Sequence, residues 1–427
     1  MVHPLMPRRV RRLQHELLAA LVLQAGLLLS PPAAWAGLSL TDASRLAAEQ
    51  APALSAQQAA LDGAVAAQLG AATLPDPRLT VGVDNLPISG ADSFSPTRDA
   101  MTMRRFGLMQ EVPNRARREA RAVGAQARIE RERALLAAAR LGVQRDAGLA
   151  WLAAWFAERR VARLAELLRE NEVLQSTLGA RIAAGKAMPA ELTMARQEAL
   201  ALADRRDDLT RDVTKARASL RRWVGERADE PLDGGGDELP PASPTDAAEV
   251  RAGLHRHAEI TPYDAQRAMA EAELSEAAAE STGDWGWEVV YSRRGPGYAD
   301  MVSFQLSLDI PWQRERRQQP AVAARRKEVA RIDAERDDTL RRHREEIEGQ
   351  LAELAALDAQ RARLADAGLA LAGERIALAL AAYESGRGDL GAVLLARREA
   401  VDTRLRLIEL DAQRAALNLR LTTLIAP

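Results

Sequence analysis

Apolar and polar residues alternate with a period of two in a few short stretches, and very long segments with helical period follow them. Val302, Phe304, Leu306, Leu308 and Ile310 share one side of a strand whose other side carries Ser303, Gln305, Ser307 and Asp309. Trp285, Trp287, Val289 and Tyr291 alternate with Gly286, Glu288, Val290 and Ser292, with one lapse at Val290. Leu79, Val81 and Val83 alternate with Thr80, Gly82 and Asp84, whereas 101–110 is less regular because Arg104 and Arg105 are adjacent. Period-two alternation predicts four strands, in pairs over about 78–110 and 285–310. Leu164, Leu167, Leu168, Leu174 and Leu178 recur at helical intervals, as do Leu351, Leu354, Leu357, Leu364 and Leu371. The predicted helices run over about 115–184 and 189–224, then 314–384 and on to about 425. Seventy helical residues make a rod on the order of 100 Å long, which must pack lengthwise against other rods.

The same plan is written twice. Phe106-Gly-Leu-Met-Gln-Glu-Val-Pro113 matches Phe304-Gln-Leu-Ser-Leu-Asp-Ile-Pro311, and Gly185 through Glu198 matches Gly386 through Glu399. Each half has an Ala-rich helix (about 40–72 and 246–280), a strand pair and a helical hairpin. The boundaries are a first repeat over 37–225, a Pro/Gly-rich linker over 226–247 and a second repeat over 248–427. The hairpins break at Gly185-Lys-Ala-Met-Pro189 and Ser385-Gly-Arg-Gly388, with Pro189 suited to the first turn of a new helix.

Residues 1–36 carry four arginines within 8–12, an apolar run over 17–29 and Ala34-Trp35-Ala36. That is the layout of a secretory signal cut after Ala36. The apolar run is too short for a spanning helix, and no later stretch qualifies. The whole chain of 427 residues has 59 basic and 60 acidic residues, a balance unlike that of a nucleic-acid binder. It holds no cysteine, which excludes disulfides, thiolate metal sites and an acylated N-terminal cysteine. No G-x-S-x-G, P-loop, dinucleotide turn or zinc-protease motif occurs, so the chain reads as a non-enzyme with no cofactor. His255 and His257 would point in opposing directions on a helix, a poor metal pair.

One-sided strands fit a half-buried soluble sheet or a membrane barrel with a wet lumen. Outside the signal, eight of fourteen aromatic residues fall in the strand regions, including Phe106, Trp285, Trp287, Tyr291 and Phe304, as an interfacial girdle requires. Four strands cannot close a membrane barrel, so the membrane reading forces oligomerisation.

Duplicated halves, strand pairs, long hairpins and a glycine at each hairpin turn resemble the TolC-type outer-membrane efflux channels over the whole mature chain. Leu74-Pro-Asp-Pro-Arg-Leu-Thr-Val-Gly-Val-Asp-Asn-Leu-Pro87 and Phe106 through Pro113 are similar to the heavy-metal, CzcC-like branch. The resemblance implies a mainly α protein with a small β part. It further implies a homotrimer with a twelve-stranded barrel in the outer membrane on a twelve-helix periplasmic tunnel. The implied partners are outer-membrane lipid, a periplasmic adaptor and an inner-membrane proton-driven pump of the RND type. The protein would be a passive conduit, with a drug-efflux or type I secretion channel as the alternative and a periplasmic coiled-coil adaptor as the lesser one. Its closing end would lie at the hairpin turns, with Gly185, Glu191, Arg196, Tyr383, Gly386, Arg387, Asp389 and Arg397 as gate or adaptor-contact candidates. There Glu191 is expected to bond Tyr383 or Arg387 across the hairpins. Where some members carry aspartates after the turn, this chain has Ala392-Val-Leu-Leu395, with Asp389 earlier. Without a lipidated cysteine, anchoring rests on the barrel.

Overall fold

The structure is a computed structural model that describes residues 37–234 and 247–423. The expected signal segment, 1–36, and most of the inter-repeat linker lie outside the described residues. The chain starts with β1 (Leu38–Ser39), α1 (Leu40–Gln50) and α2 (Pro52–Ala71). The first strand pair is β2 (Arg78–Asp84) and β3 (Met103–Val112), and the first hairpin is α3 (Arg115–Ala183) and α4 (Pro189–Val224). After β4 (Leu232–Asp233) come α5 (Ala247–Ala252), α6 (Thr261–Ala279), β5 (Trp285–Arg293) and β6 (Met301–Leu308). The second hairpin is α7 (Gln318–Arg363), a π-helical turn (Leu364–Gly368), α8 (Leu369–Glu384) and α9 (Leu390–Thr422).

Three expectations of continuous helix are corrected. The helix expected over 40–72 divides at Ala51, whose ψ of 120° is the extended conformation imposed by the following Pro52. The one expected over 246–280 divides around His257–Ile260, and Pro262 lies in the first turn of α6. The rod expected over 314–384 starts four residues later and is interrupted by the π turn at Leu364–Gly368.

Asn114 starts α3 by accepting the Arg117 N–H at 2.9 Å, and its own amide donates to the carbonyls of Ala279 and Gly283. Asp284 completes this junction, accepting the Asn114 N–H at 2.8 Å and pairing with Arg117 at 2.7 Å. The end of the second Ala-rich helix is thereby fastened to the start of the first hairpin, where sheet meets rods.

The main core lies where α1, α3 and α4 meet the β1–β4 pair. Trp151 is fully buried, stacks on Trp155 at 6.2 Å and donates from its indole N–H to the Leu38 carbonyl at 2.7 Å. Leu38, Phe156, Leu220 and Val224 complete the cluster. Smaller clusters follow along the rods, around Leu357 and Leu417, around Leu164 and Val401, and around Leu178 and Leu390. The strongly apolar α8, LALAGERIALALAAYE, has no buried residue, and its Leu371 and Leu378 are exposed. Among the described residues no helix is long and apolar enough to cross a membrane.

Candidate functional site

The four longer strands form one antiparallel sheet in the order β2-β3-β5-β6, so β2 and β6 are open edges. Register assembles the apolar side into rows. Val81, Phe106, Tyr291 and Val302 form one row, and Leu79, Leu108, Val289 and Phe304 the next. Trp285 and Trp287 extend the same face toward the helices. This apolar side is exposed, with Phe304 at 69% and Leu79 at 74%, and the outer strands β2 and β6 are exposed on both sides. The buried sheet positions include Val290 and Ser292 on the opposite side. On that side Arg105 pairs with Asp84 at 3.0 Å, and Thr80 donates to Glu288 at 3.3 Å. The irregularity at Arg104 and Arg105 is resolved by alternation: Arg105 joins this polar network, and Arg104 lies on the apolar side at the end of the sheet. A sheet with exposed apolar rows on one side and charged residues on the other inverts the soluble pattern and suits lipid on one side and water on the other.

The two hairpin turns share one geometry. Gly185 and Gly386 both have φ of 71°, a conformation that a β-carbon resists. Each turn closes with a pair of hydrogen bonds. Gly185 N–H donates to Ile182 O and Lys186 N–H to Arg181 O, while Gly386 N–H donates to Tyr383 O and Arg387 N–H to Ala382 O. This is the Schellman pattern that satisfies helix-end carbonyls. The restarts differ. Asp389 caps α9 by accepting the Ala392 N–H, whereas Glu191 reaches back to the Met188 N–H at 2.8 Å.

That bond gives Glu191 a partner at the start of its own helix, beside the expected approach to Tyr383. Arg387 turns away and donates to Ser385 Oγ at 3.2 Å, so it is not the partner of Glu191. The Tyr383 hydroxyl is buried and faces the Glu191 carboxylate without a well-formed hydrogen bond. Burial, and then the nearby Glu191 carboxylate, still push the Tyr383 phenol above its ordinary pKa, and the Arg181 guanidinium lies 5.5 Å from its ring. The two hairpins therefore meet around Tyr383 by packing and charge. Leu178, Ala195, Leu390, Val393 and Leu394 form the apolar cluster beneath it. Val393 and Leu394 are thus sealed between hairpins, while Leu395 is exposed. Arg196 is exposed, and Arg397 lies 4.0 Å from Glu170 of α3.

Sequence reasoning missed the main charged tie between the hairpins. Glu198 of α4 is buried and takes a two-pronged contact from Arg398 of α9. Asp402 and Arg205 pair further along the same two helices, one turn beyond Arg398 and two turns beyond Glu198. The available signal was the position of Glu198, three residues after the buried Ala195 on the inward stripe. The histidine geometry was also missed. His257 stacks on His343 at 3.8 Å, and His343 bridges Glu259 and Glu346 at 3.1 Å each. Among the described residues no group of three or more His, Cys, Asp or Glu is placed to hold a metal ion.

No protein-family model and no curated protein matches the chain. Solved structures do. CusC superposes with a TM-score of 0.77 at 15% identity, over 93% of this chain and 96% of that one. A membrane protein from Pseudomonas aeruginosa gives 0.76 at 18%, over 90% of both chains. The outer membrane protein VceC of Vibrio cholerae gives 0.73 at 18%, over 90% of this chain and 95% of that one. With its strand pairs and doubled hairpins, the chain has the TolC-type fold of the outer-membrane channels.

Proposed function

We propose that the chain is one third of an outer-membrane efflux conduit. The observation that carries this reading is the sheet whose apolar side faces outward and whose two edges are unpaired. An open edge is intolerable in lipid, and a β2 edge joined to the β6 edge of the next copy closes a ring. Three copies of the four-stranded arc give a twelve-stranded barrel, above the minimum of about eight. The unburied apolar face of α8 supports the same assembly, because neighbouring copies would cover it as the rods close into a twelve-helix tunnel.

In this reading the polar side of the sheet lines a wet pore, and the hairpin tips form the periplasmic end that a periplasmic adaptor and an inner-membrane RND pump engage. The tips open and close the path, and no bond is made or broken. Heavy-metal cations are the proposed cargo, on the resemblance of residues 74–87 and 106–113 to the CzcC-like branch. The cargo would pass among exposed carboxylates rather than stop at a resident site. Drugs or a secreted protein are the alternative cargo.

Recovery from outer membranes of a heat-modifiable trimer that conducts ions in planar bilayers supports the assignment. Release of a monomer by osmotic shock would instead support the adaptor reading. Deletion followed by zinc, cobalt, cadmium, copper and dye tolerance assays separates metal cargo from drug cargo.

A further inference from the structure

Two arginines stand at the rim of the apolar face. Val83, Arg104 and Arg293 form the next cross-strand row beyond Val81, Phe106 and Tyr291. This row lies at the sheet end remote from the helices, where β2 and β5 finish and β3 begins. By alternation it lies on the same side as the exposed apolar rows. Arg104 and Arg293 are direct register partners, and like charges placed opposite each other destabilise a strand pair unless an anion sits between them.

Among the described residues the protein supplies no such anion, and neither arginine makes an ion pair. Arg104 Nη2 donates to the Arg294 carbonyl at 3.3 Å, and its buried Nε has no partner. The nearby carboxylates are occupied elsewhere. Asp84 pairs with Arg105 on the other side of the sheet, Asp99 accepts the Met101 N–H, and Asp300 accepts the Tyr291 hydroxyl. Arg294 holds the surrounding loops in place, donating to Ala299 O and Ala100 O at 3.2 Å each. The result is a pair of guanidinium groups with unused donors at the edge of an apolar band.

We propose that Arg104 and Arg293 bind the phosphate group of a membrane lipid in the leaflet at that end of the barrel. The inference rests on the outer-membrane reading above. A guanidinium matches phosphate with two parallel hydrogen bonds, and two of them across one strand pair can share one phosphate. Their aliphatic stems lie along the apolar rows while the heads reach the interface. A lipid-borne phosphate thus removes the repulsion between them and fixes the depth of the barrel.

The test is native mass spectrometry of the full-length oligomer in neutral detergent. It is titrated with a glycolipid bearing phosphate monoesters, with the same glycolipid dephosphorylated, and with inorganic phosphate alone. The wild type should retain the phosphorylated lipid and release the dephosphorylated one. Arg104→Gln with Arg293→Gln should weaken retention about tenfold, as expected for lost charge-assisted bonds, while Arg211→Gln leaves it unchanged. Equal retention of both lipids by the wild type overturns the proposal whether or not the double variant folds. So does undiminished retention by an intact double-variant oligomer. Equally tight binding of inorganic phosphate alone overturns the lipid assignment. A protein that never forms a membrane-inserted oligomer contradicts the channel reading itself, whereas an inserted oligomer without lipid preference contradicts only this inference.

Discussion

Glu198 and Arg398 join the two hairpins through a contact that is buried on one side only: the Glu198 side chain is 7% exposed and the Arg398 side chain 46%. Loss of either partner therefore has unequal consequences. Arg398→Ala leaves a buried carboxylate without a cation and should destabilise the chain by about 2 kcal/mol. Glu198→Gln keeps a hydrogen-bonding group and leaves a half-solvated arginine, for a loss below about 1 kcal/mol. Urea unfolding of the detergent-solubilised protein checks the order, and equal losses would contradict it.

At the tips, Glu191 caps its own helix and Tyr383 faces it without a well-formed hydrogen bond. Glu191→Ala should therefore loosen the first turn by about 1 kcal/mol, as cap losses do, and raise conductance in planar bilayers. Tyr383→Phe deletes a buried hydroxyl that makes no well-formed hydrogen bond and should leave conductance near that of the wild type. A large opening in Tyr383→Phe would restore a bonded role for the hydroxyl.

Gly185 and Gly386 have open space around them, so their substitution carries backbone strain alone. Gly185→Ala and Gly386→Ala should each cost about 1 kcal/mol. Hydrogen exchange at Lys186 and Arg387, whose amides close the turns, should quicken in the matching variant; unchanged exchange in both would count against the shared turn geometry.

His257 makes stability depend on pH. Its Nδ1 accepts the Glu259 N–H at 3.1 Å, which leaves the ring proton on a buried Nε2 without a partner. Burial, and then His343, lower its pKa from 6.5 to about 4, against the opposing pull of Glu259 and Glu346, with Arg145 also lowering it. The folded value lies below the unfolded one, so the unfolded chain takes up the proton first. Stability from the neutral ring is whole above about pH 6.5, falls as the pH drops toward about 4, and loses nothing further below that. The full span is about 3 kcal/mol. His257→Gln should flatten this segment of the thermal-midpoint profile, and a profile identical to wild type would rule the histidine out as its source.

Periodicity made the long elements legible. Ser303, Gln305 and Ser307 between apolar neighbours give a strand a direction, and leucines at helical spacing do the same for the rods. The breaks were harder, because Ala51 and Leu364 look like any other helical residue, and only Pro52 hinted at the first. Aromatic placement was legible in part. The strand aromatics share one exposed face, but Trp151, Trp155 and Phe156 build the core beside Leu38 rather than any girdle. At the tips the turn glycines could be located from the repeat. Their cross-hairpin partners could not, since Glu198 meets Arg398 only through the packing of α4 beside α9, two hundred residues apart. The His257–His343 stack has the same origin, arising where the chain bends before α6.

The central claim is that the exposed apolar side of the sheet faces lipid and its opposite side faces water. A chain without native cysteine allows a clean measurement on neighbouring residues of one strand. Phe304→Cys and Ser303→Cys are labelled in outer-membrane vesicles with a small membrane-impermeant maleimide, and separately with a fluorophore exposed to a lipid-borne quencher. Ser303→Cys should react with the aqueous reagent and escape the quencher, and Phe304→Cys should do the reverse. Ready aqueous labelling of Phe304→Cys, with no quenching from the lipid, would show that this face never meets a membrane.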